Sequence, residues 1–197
     1  FAGKAKIVQI DIDPAEVNKN IAVVDSLVGS IKDALSRLVP LVEKRKASEW
    51  NAKIDEWKAE VPRSRKQNGK LSPKSIFEYV NGKVPSDTII TTEVGQHQMW
   101  TALFYRFEKP RTFLTSGGLG TMGFGTGAAI GAQFANPDTR VVHFAGDGSF
   151  RMNCNELATI SHYGLPIIIV VFNNGALGNV RQWQTLFYEK RYSATTL

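Results

Sequence analysis

The 197-residue sequence has a single cysteine, Cys154. A disulfide framework needs pairs, so none forms within this chain, and a reducing, cytosolic setting is the expectation. Cys154 falls on an expected helix, where a packed thiol is favoured over a nucleophile. Histidine is almost as scarce. His97, His143 and His162 are the only three, and with one cysteine they are too scattered for a zinc site. Long apolar runs are missing too. "PIIIVVF" (Pro166–Phe172) falls far short of the roughly 20 residues of a membrane span, so no membrane partner is expected. Internal repeats are absent. The net charge of +6 invites a nucleic-acid reading. Its basic clusters, "EKRK" (Glu43–Lys46) and "RSRK" (Arg63–Lys66), come without a recognition motif, and a solvated linker with no nucleic-acid partner is the reading taken. Phe1 is not an initiator methionine and a strand begins almost at once, so the sequence is expected to start inside a domain.

What is present has ordinary globular proportions, 43% hydrophobic and 21% charged. The length suits one full domain plus a piece of another. Residues 5–12 read as a strand. Residues 30–42 read as a helix kinked or stopped near Pro40. Residues 47–60 read as a second helix with Trp50, Ile54 and Trp57 on one face. Pro62–Lys70 is polar and reads as a linker. From Ser72 helices and strands alternate: a helix capped by Ser72 with Pro73 in its first position, a strand over 87–94, a helix over 96–104, a strand over 111–115, and a helix over 127–134. Strand 140–145, helix 149–164 and strand 166–172 follow, then a last helix over 177–192 carrying Val180, Trp183 and Phe187 on one side. The expected fold is α/β, a doubly wound parallel sheet. Boundaries are expected at 1–42, 43–71 and 72–197.

The stretch from Ala145 to Asn174 carries the clearest chemistry. Ser149 can cap its helix and Gly164 can stop it. A helix of about fourteen residues climbs about 21 Å, and a strand of six or seven returns about as far. Asp147 and Asn174 therefore meet at the carboxyl edge of the sheet, where open α/β sheets bind ligands. A carboxylate and an amide carbonyl are hard oxygen donors suited to Mg²⁺, which completes its shell with phosphate oxygens and water. The helix start after Asp147 favours an anion, and Gly146 and Gly148 let backbone approach. The residues alone leave a second reading open: a strand-end turn and an Asn-rich turn with no ligand.

Other candidates divide. "GLGTMG" (Gly118–Gly123) satisfies the dinucleotide fingerprint G-x-G-x-x-G after a strand. It lacks the acid expected about twenty residues on, because Asp138 comes too early in the turn "NPD" and Asp147 belongs to the other motif. Gln96 and His97 follow a strand and Gly95 on the carboxyl edge. His143, inside a strand, and His162, near a helix end, read as structural. Asp11 at a strand end can accept from ribose hydroxyls, or can simply close the turn "DIDP".

Several motifs in order then resemble one family. "VGQHQMW" (Val94–Trp100), "SGGLGTMGFG" (Ser116–Gly125), "GDGSFRMNCNELATI" (Gly146–Ile160), the closing Asn173-Asn174 and "LGNVRQWQTLFYEKRYSAT" (Leu177–Thr195) resemble the catalytic large subunit of acetohydroxyacid synthase, or acetolactate synthase, a thiamine-diphosphate-dependent enzyme. "AKIVQIDIDPAEVNKN" (Ala5–Asn20) resembles the end of that enzyme's middle, FAD-contacting domain. The resemblance implies thiamine diphosphate, Mg²⁺ and FAD as cofactors. Mg²⁺ would take the Asp147 and Asn174 side chains and the Ala176 carbonyl. Gly148, Ser149, Gly175, Leu177, Gly178 and Asn179 would surround the cofactor, Gln96 and His97 would contact its diphosphate, and Gly120, Thr121 and Met122 would line its ring site. Asp11 and Ile12 would contact FAD, and Trp183 would line the substrate channel.

The implied reaction decarboxylates pyruvate and condenses the hydroxyethyl carbanion with a second 2-ketoacid, pyruvate or 2-ketobutyrate, in valine and isoleucine biosynthesis. The implied assembly is a homodimer or tetramer with a possible regulatory small subunit. The glutamate that activates the cofactor is expected upstream of Phe1, which would leave this chain inactive by itself. Two positions depart from the family: Asn179 stands where methionine is usual, and Ser30-Ile31 where an acid is usual. "VRQWQ" (Val180–Gln184) argues against pyruvate oxidases and simple 2-ketoacid decarboxylases. An NAD-dependent dehydrogenase and a non-catalytic binding module are the alternatives from other classes.

Overall fold

A computed structural model describes residues 3–44, 48–60 and 71–197. The expected linker 62–70, the cluster "RSRK" and residues 45–47 lie outside the described residues. These fall into two compact units, one on each side of that linker. In the first, β1 (Val8–Asp11) and β2 (Asp25–Val28) pair in parallel, with Val8 opposite Asp25 and Asp11 opposite Val28. The expected strand 5–12 is therefore present in its central part, whereas β2, short and exposed throughout, was not read from sequence. Helix α1 (Ile31–Leu38) gives way to a 3₁₀ turn over Val39–Leu41. Pro40, which has no N–H to continue the ladder, sits in that turn. In α2 (Glu49–Glu60) Trp50 and Trp57, two turns apart, meet edge to face at 5.4 Å.

The second unit is built on four parallel strands in the order β4-β3-β5-β6: β3 (Ile89–Thr92), β4 (Phe113–Leu114), β5 (Val141–Gly146) and β6 (Ile168–Phe172). Ile90 lies opposite Phe113 on one side and Val142 on the other, and Val142 lies opposite Ile168. Strand side chains alternate between faces, so Ile90, Val142 and Phe144 pack with Phe77 of α3 (Pro73–Asn81) and with Trp100 and Phe104 of α4 (Gln96–Phe104). Ile89 and Val141 face the other way, onto Ala129 and Ala132 of α5 (Phe124–Ala135). Helices thus cover both faces of a parallel sheet, the doubly wound α/β arrangement expected. The start of α3 also matches its reading: Ser72 accepts from the Ser75 N–H, Ser75 returns the bond, and Pro73 opens the helix.

Three expectations need correction. The continuous helix over 149–164 is broken into α6 (Asp147–Phe150), a 3₁₀ turn over Cys154–Glu156 and α7 (Leu157–His162). Asn153 interrupts it, because its side-chain amide donates across to the Gly123 carbonyl rather than pointing to solvent. Ser149 is not a cap. It is buried inside α6, with its hydroxyl on the Val94 carbonyl. Cys154, freed from helix packing by the break, is exposed. β6 is the sheet edge among the described residues, and Ile168 and Val171 stay 42% and 41% exposed.

Candidate functional site

Because β3, β5 and β6 run parallel, the segments leaving their carboxyl ends emerge side by side. Val94–His97 follows β3, Asp147–Ser149 follows β5, and Asn174–Gly178 follows β6 and leads into α8 (Gly178–Phe187). Together they line one small cleft, which also takes in Trp100, Met122 and Phe172. The first turn after Asp147 is short, a single turn of helix, so the site rests on side chains and loop backbone more than on a long helix start.

Three residues lining that cleft, Asp147, Asn174 and Ala176, carry candidate oxygen donors. Asp147 Oδ2 accepts from the Gly175 N–H at 2.8 Å, which ties the end of β5 to the loop after β6. Asn174 Oδ1 accepts from the Ala176 N–H at 3.0 Å, closing an Asx turn. Ala176 bridges Thr196 in antiparallel fashion through the amides of Leu177 and Leu197, a pairing that leaves its own carbonyl without a donor among the described residues. One carboxylate, one amide oxygen and one unclaimed carbonyl make an all-oxygen donor set, which fits Mg²⁺ sharing its shell with phosphate. No cluster of three His, Cys, Asp or Glu side chains competes with it among the described residues.

The floor of the cleft is His97. It is 4% exposed, and its Nε2 has no hydrogen-bond partner. Burial pushes its pKa down to about 4, against the upward pull of the Glu93 carbonyl and the Asp147 carboxylate. The ring is therefore neutral at pH 7, and its buried Nε2 is unsatisfied among the described residues; such atoms call for a partner. Gly95 and Gly146 hold the ring between them: a Cβ on either would come within 2.8 Å of it. Phe172 lies nearly parallel to the imidazole, 18° apart at 6.5 Å. Gln96, across the mouth, donates to Gln182 of α8 at 2.8 Å, and its amide passes over Gly178, where any Cβ would strike it.

Ten residues singled out from sequence therefore line this cleft: Gln96, His97, Met122, Asp147, Gly148, Ser149, Asn174, Ala176, Leu177 and Gly178. Gly175 lies beside it, in a neighbouring depression with Arg181. Gly120, with φ of 64°, and Thr121, whose N–H donates to Ser116 Oγ, form the turn leading to Met122 but do not line the cleft. Asn179 and Trp183 line a separate pocket with Val180, Gln184, Tyr188 and Arg191. Asp11 and Ile12 belong to the other unit, where Asp11 Oδ1 accepts from the Asp13 N–H and closes the strand-end turn. Sequence reasoning missed Val94, Trp100 and Phe172 as cleft residues. Trp100 was findable, one turn along the helix from Gln96. Glu93, an acid at a strand end that the sequence does not single out, is fully buried and binds the amides of Gly123 and Thr126.

A cleft at the carboxyl edge of a doubly wound sheet is where open α/β folds take their ligands. A family model described as "Thiamine pyrophosphate enzyme, C-terminal TPP binding domain" matches residues 93–197, and the chain belongs to that family. Within it, the chain is similar to acetolactate synthase large subunits. It is 47% identical to the acetolactate synthase large subunit of Corynebacterium glutamicum over 204 residues, covering 100% of this chain and 33% of that protein. It is 46% identical over 197 residues to the Escherichia coli isozyme 1 large subunit, covering 100% of this chain and 35% of the relative. It is 44% identical over 199 residues to the mitochondrial acetolactate synthase catalytic subunit of Aspergillus candidus, covering 96% and 29%. The chain thus spans about a third of the length of the curated relatives it matches.

Proposed function

We propose that this chain is the diphosphate-binding part of an acetolactate synthase large subunit, acting on pyruvate and, as second substrate, pyruvate or 2-ketobutyrate. The observation that carries the proposal is one cleft lined by Asp147, Asn174, Ala176 and the buried His97. Asp147, Asn174 and Ala176 would hold Mg²⁺, and Gln96 and His97 would hold the diphosphate of thiamine diphosphate. When bound, that group supplies the electron sink for decarboxylating a 2-ketoacid and transferring the remaining two-carbon unit. Neutral His97 contributes a hydrogen bond without adding charge beside the metal. To reach the diphosphate, Gln96 must exchange its bond to Gln182 for one into the cleft.

We propose that the proton-relaying glutamate comes from outside this chain. Glu93 is committed to Gly123 and Thr126, and the Glu156 carboxylate accepts from Asn155 and Thr159. Flavin binding at Asp11 and Ile12 belongs to the proposal for the whole enzyme only: the Asp11 carboxylate serves its own turn, and Ser30 and Ile31 offer no acid. A homodimer or tetramer, a regulatory small subunit and a role in valine and isoleucine synthesis complete the proposal. A cytoplasmic location rests on the single cysteine; no helix among the described residues is long and apolar enough to cross a membrane.

The test uses cofactor-stripped holoenzyme containing this chain. Thiamine diphosphate with Mg²⁺ should raise its melting temperature and restore acetolactate formation from pyruvate. Stabilisation by NAD instead would overturn the proposal in favour of the dehydrogenase reading of "GLGTMG".

A further inference from the structure

The cleft reading above leaves one buried charge unexplained. Glu93 ends β3 with its side chain fully buried on the α5 side of the sheet. Its Oε2 accepts from the Gly123 N–H at 2.7 Å, and its Oε1 accepts from the Thr126 N–H at 3.0 Å and the Thr126 hydroxyl at 3.4 Å. No lysine or arginine pairs with it among the described residues; the nearest basic nitrogen is His143 Nε2 at 3.9 Å. A carboxylate without a cation in the interior is costly unless hydrogen bonds to its charged form are well made. Here those bonds end on the loop that carries Met122 into the cleft.

That loop is pinned on every side by side chains. Gly123 takes φ of 86°, a left-handed conformation that only glycine adopts freely. Its N–H is held by Glu93, and its carbonyl accepts from the Asn153 amide. Upstream, Thr121 N–H and Gly120 N–H both donate to Ser116, whose carbonyl also accepts from Gln98 Nε2. Met122 stands between the two anchors.

We propose that Glu93, seconded by Asn153, is a positioning residue that sets Met122 against the ring portion of the bound cofactor, while the diphosphate portion is held independently at Asp147 and Asn174. The proposal rests on the cleft being the thiamine diphosphate site, and the test separates the two. Glu93→Gln keeps the shape but turns an amide toward the Gly123 N–H; Asn153→Ala releases the same glycine from the partly exposed side and serves if the first variant folds poorly. In cofactor-free holoenzyme, hydrogen exchange at the Gly123 and Thr126 amides and melting temperature are measured. Affinities for Mg²⁺ with thiamine diphosphate, and for Mg²⁺ with inorganic pyrophosphate, are then measured by calorimetry.

The expected result is faster exchange confined to residues 120–126 and thiamine diphosphate affinity lower by about tenfold, the scale of losing one charge-assisted hydrogen bond. Pyrophosphate affinity should be unchanged. If both affinities fall together, or neither moves, Glu93 does not position Met122 and the inference is overturned. If the unmodified enzyme binds neither ligand, the cleft reading fails and the inference fails with it.

Discussion

His143, within β5, and His97, in the first turn of α4, are both buried and both held near pKa 4, in each case chiefly by burial. His143 Nδ1 shares a 2.8 Å hydrogen bond with Thr91, and its Nε2 has no hydrogen-bond partner. An unfolded histidine titrates near 6.5. Between pH 6.5 and 4 the unfolded chain therefore binds up to about two protons more than the folded one, and stability falls as pH falls. The melting temperature should be level from pH 8 to 7 and drop through 6.5 toward 4, with a shallower drop in His143→Gln. A melting temperature that holds steady across that window contradicts the burial of neutral rings. At this scale the sequence was legible where spacing fixes geometry: Asp147 and Asn174 meet because a parallel βαβ unit returns its ends to one edge. Glu93 was not, since a strand-end acid looks the same in sequence whether it faces water or a helix start. Ser149 misled because a serine after glycine has cap chemistry, while the neighbouring Val94 carbonyl offered it a buried partner.

Elements were readable where local signals and packing agree. Ser72-Pro73 started α3 as expected, and a short, apolar, β-branched run placed β5. The segment after Asp147 was not, because apolar spacing at Phe150, Leu157 and Ile160 suits one helix while Asn153 is drawn to Gly123 on another element. α5 meets the sheet with equal specificity. A Cβ on Gly125 would sit 2.5 Å from both His143 Cε1 and the Thr92 carbonyl oxygen, and the latter is backbone that cannot swing aside. Gly125→Ala should therefore destabilise the fold by about 1–3 kcal/mol or more, as overpacked interiors do. Urea unfolding checks it, and Gly127→Ala, which meets nothing within 4 Å, is the control expected to be neutral or mildly stabilising.

For the molecule as a whole, the site is divided between what this chain supplies and what it does not. Trp183 lines a pocket of its own with Asn179 and Val180, is 63% exposed, and touches Phe187 edge to face at 6.1 Å. Such exposure argues against a core role. In holoenzyme, Trp183→Leu should leave the melting temperature nearly unchanged and erode the preference for 2-ketobutyrate over pyruvate, within the roughly 10- to 200-fold that one methylene affords. An unchanged product ratio with lowered stability would reverse that assignment. The chain by itself should form no acetolactate, because no glutamate of the described residues lines the cleft to activate the cofactor; product above a no-protein control, rising with protein added, would refute this.

The most direct measurement of the central claim is calorimetric titration of cofactor-stripped holoenzyme with thiamine diphosphate, with and without Mg²⁺, before and after Asp147→Ala. That substitution removes the only formal charge among the three proposed protein ligands, on which magnesium affinity depends. The account predicts Mg²⁺-dependent binding in the unmodified enzyme and its loss in the variant. Equal affinity in the two, with the same dependence on Mg²⁺, would contradict it.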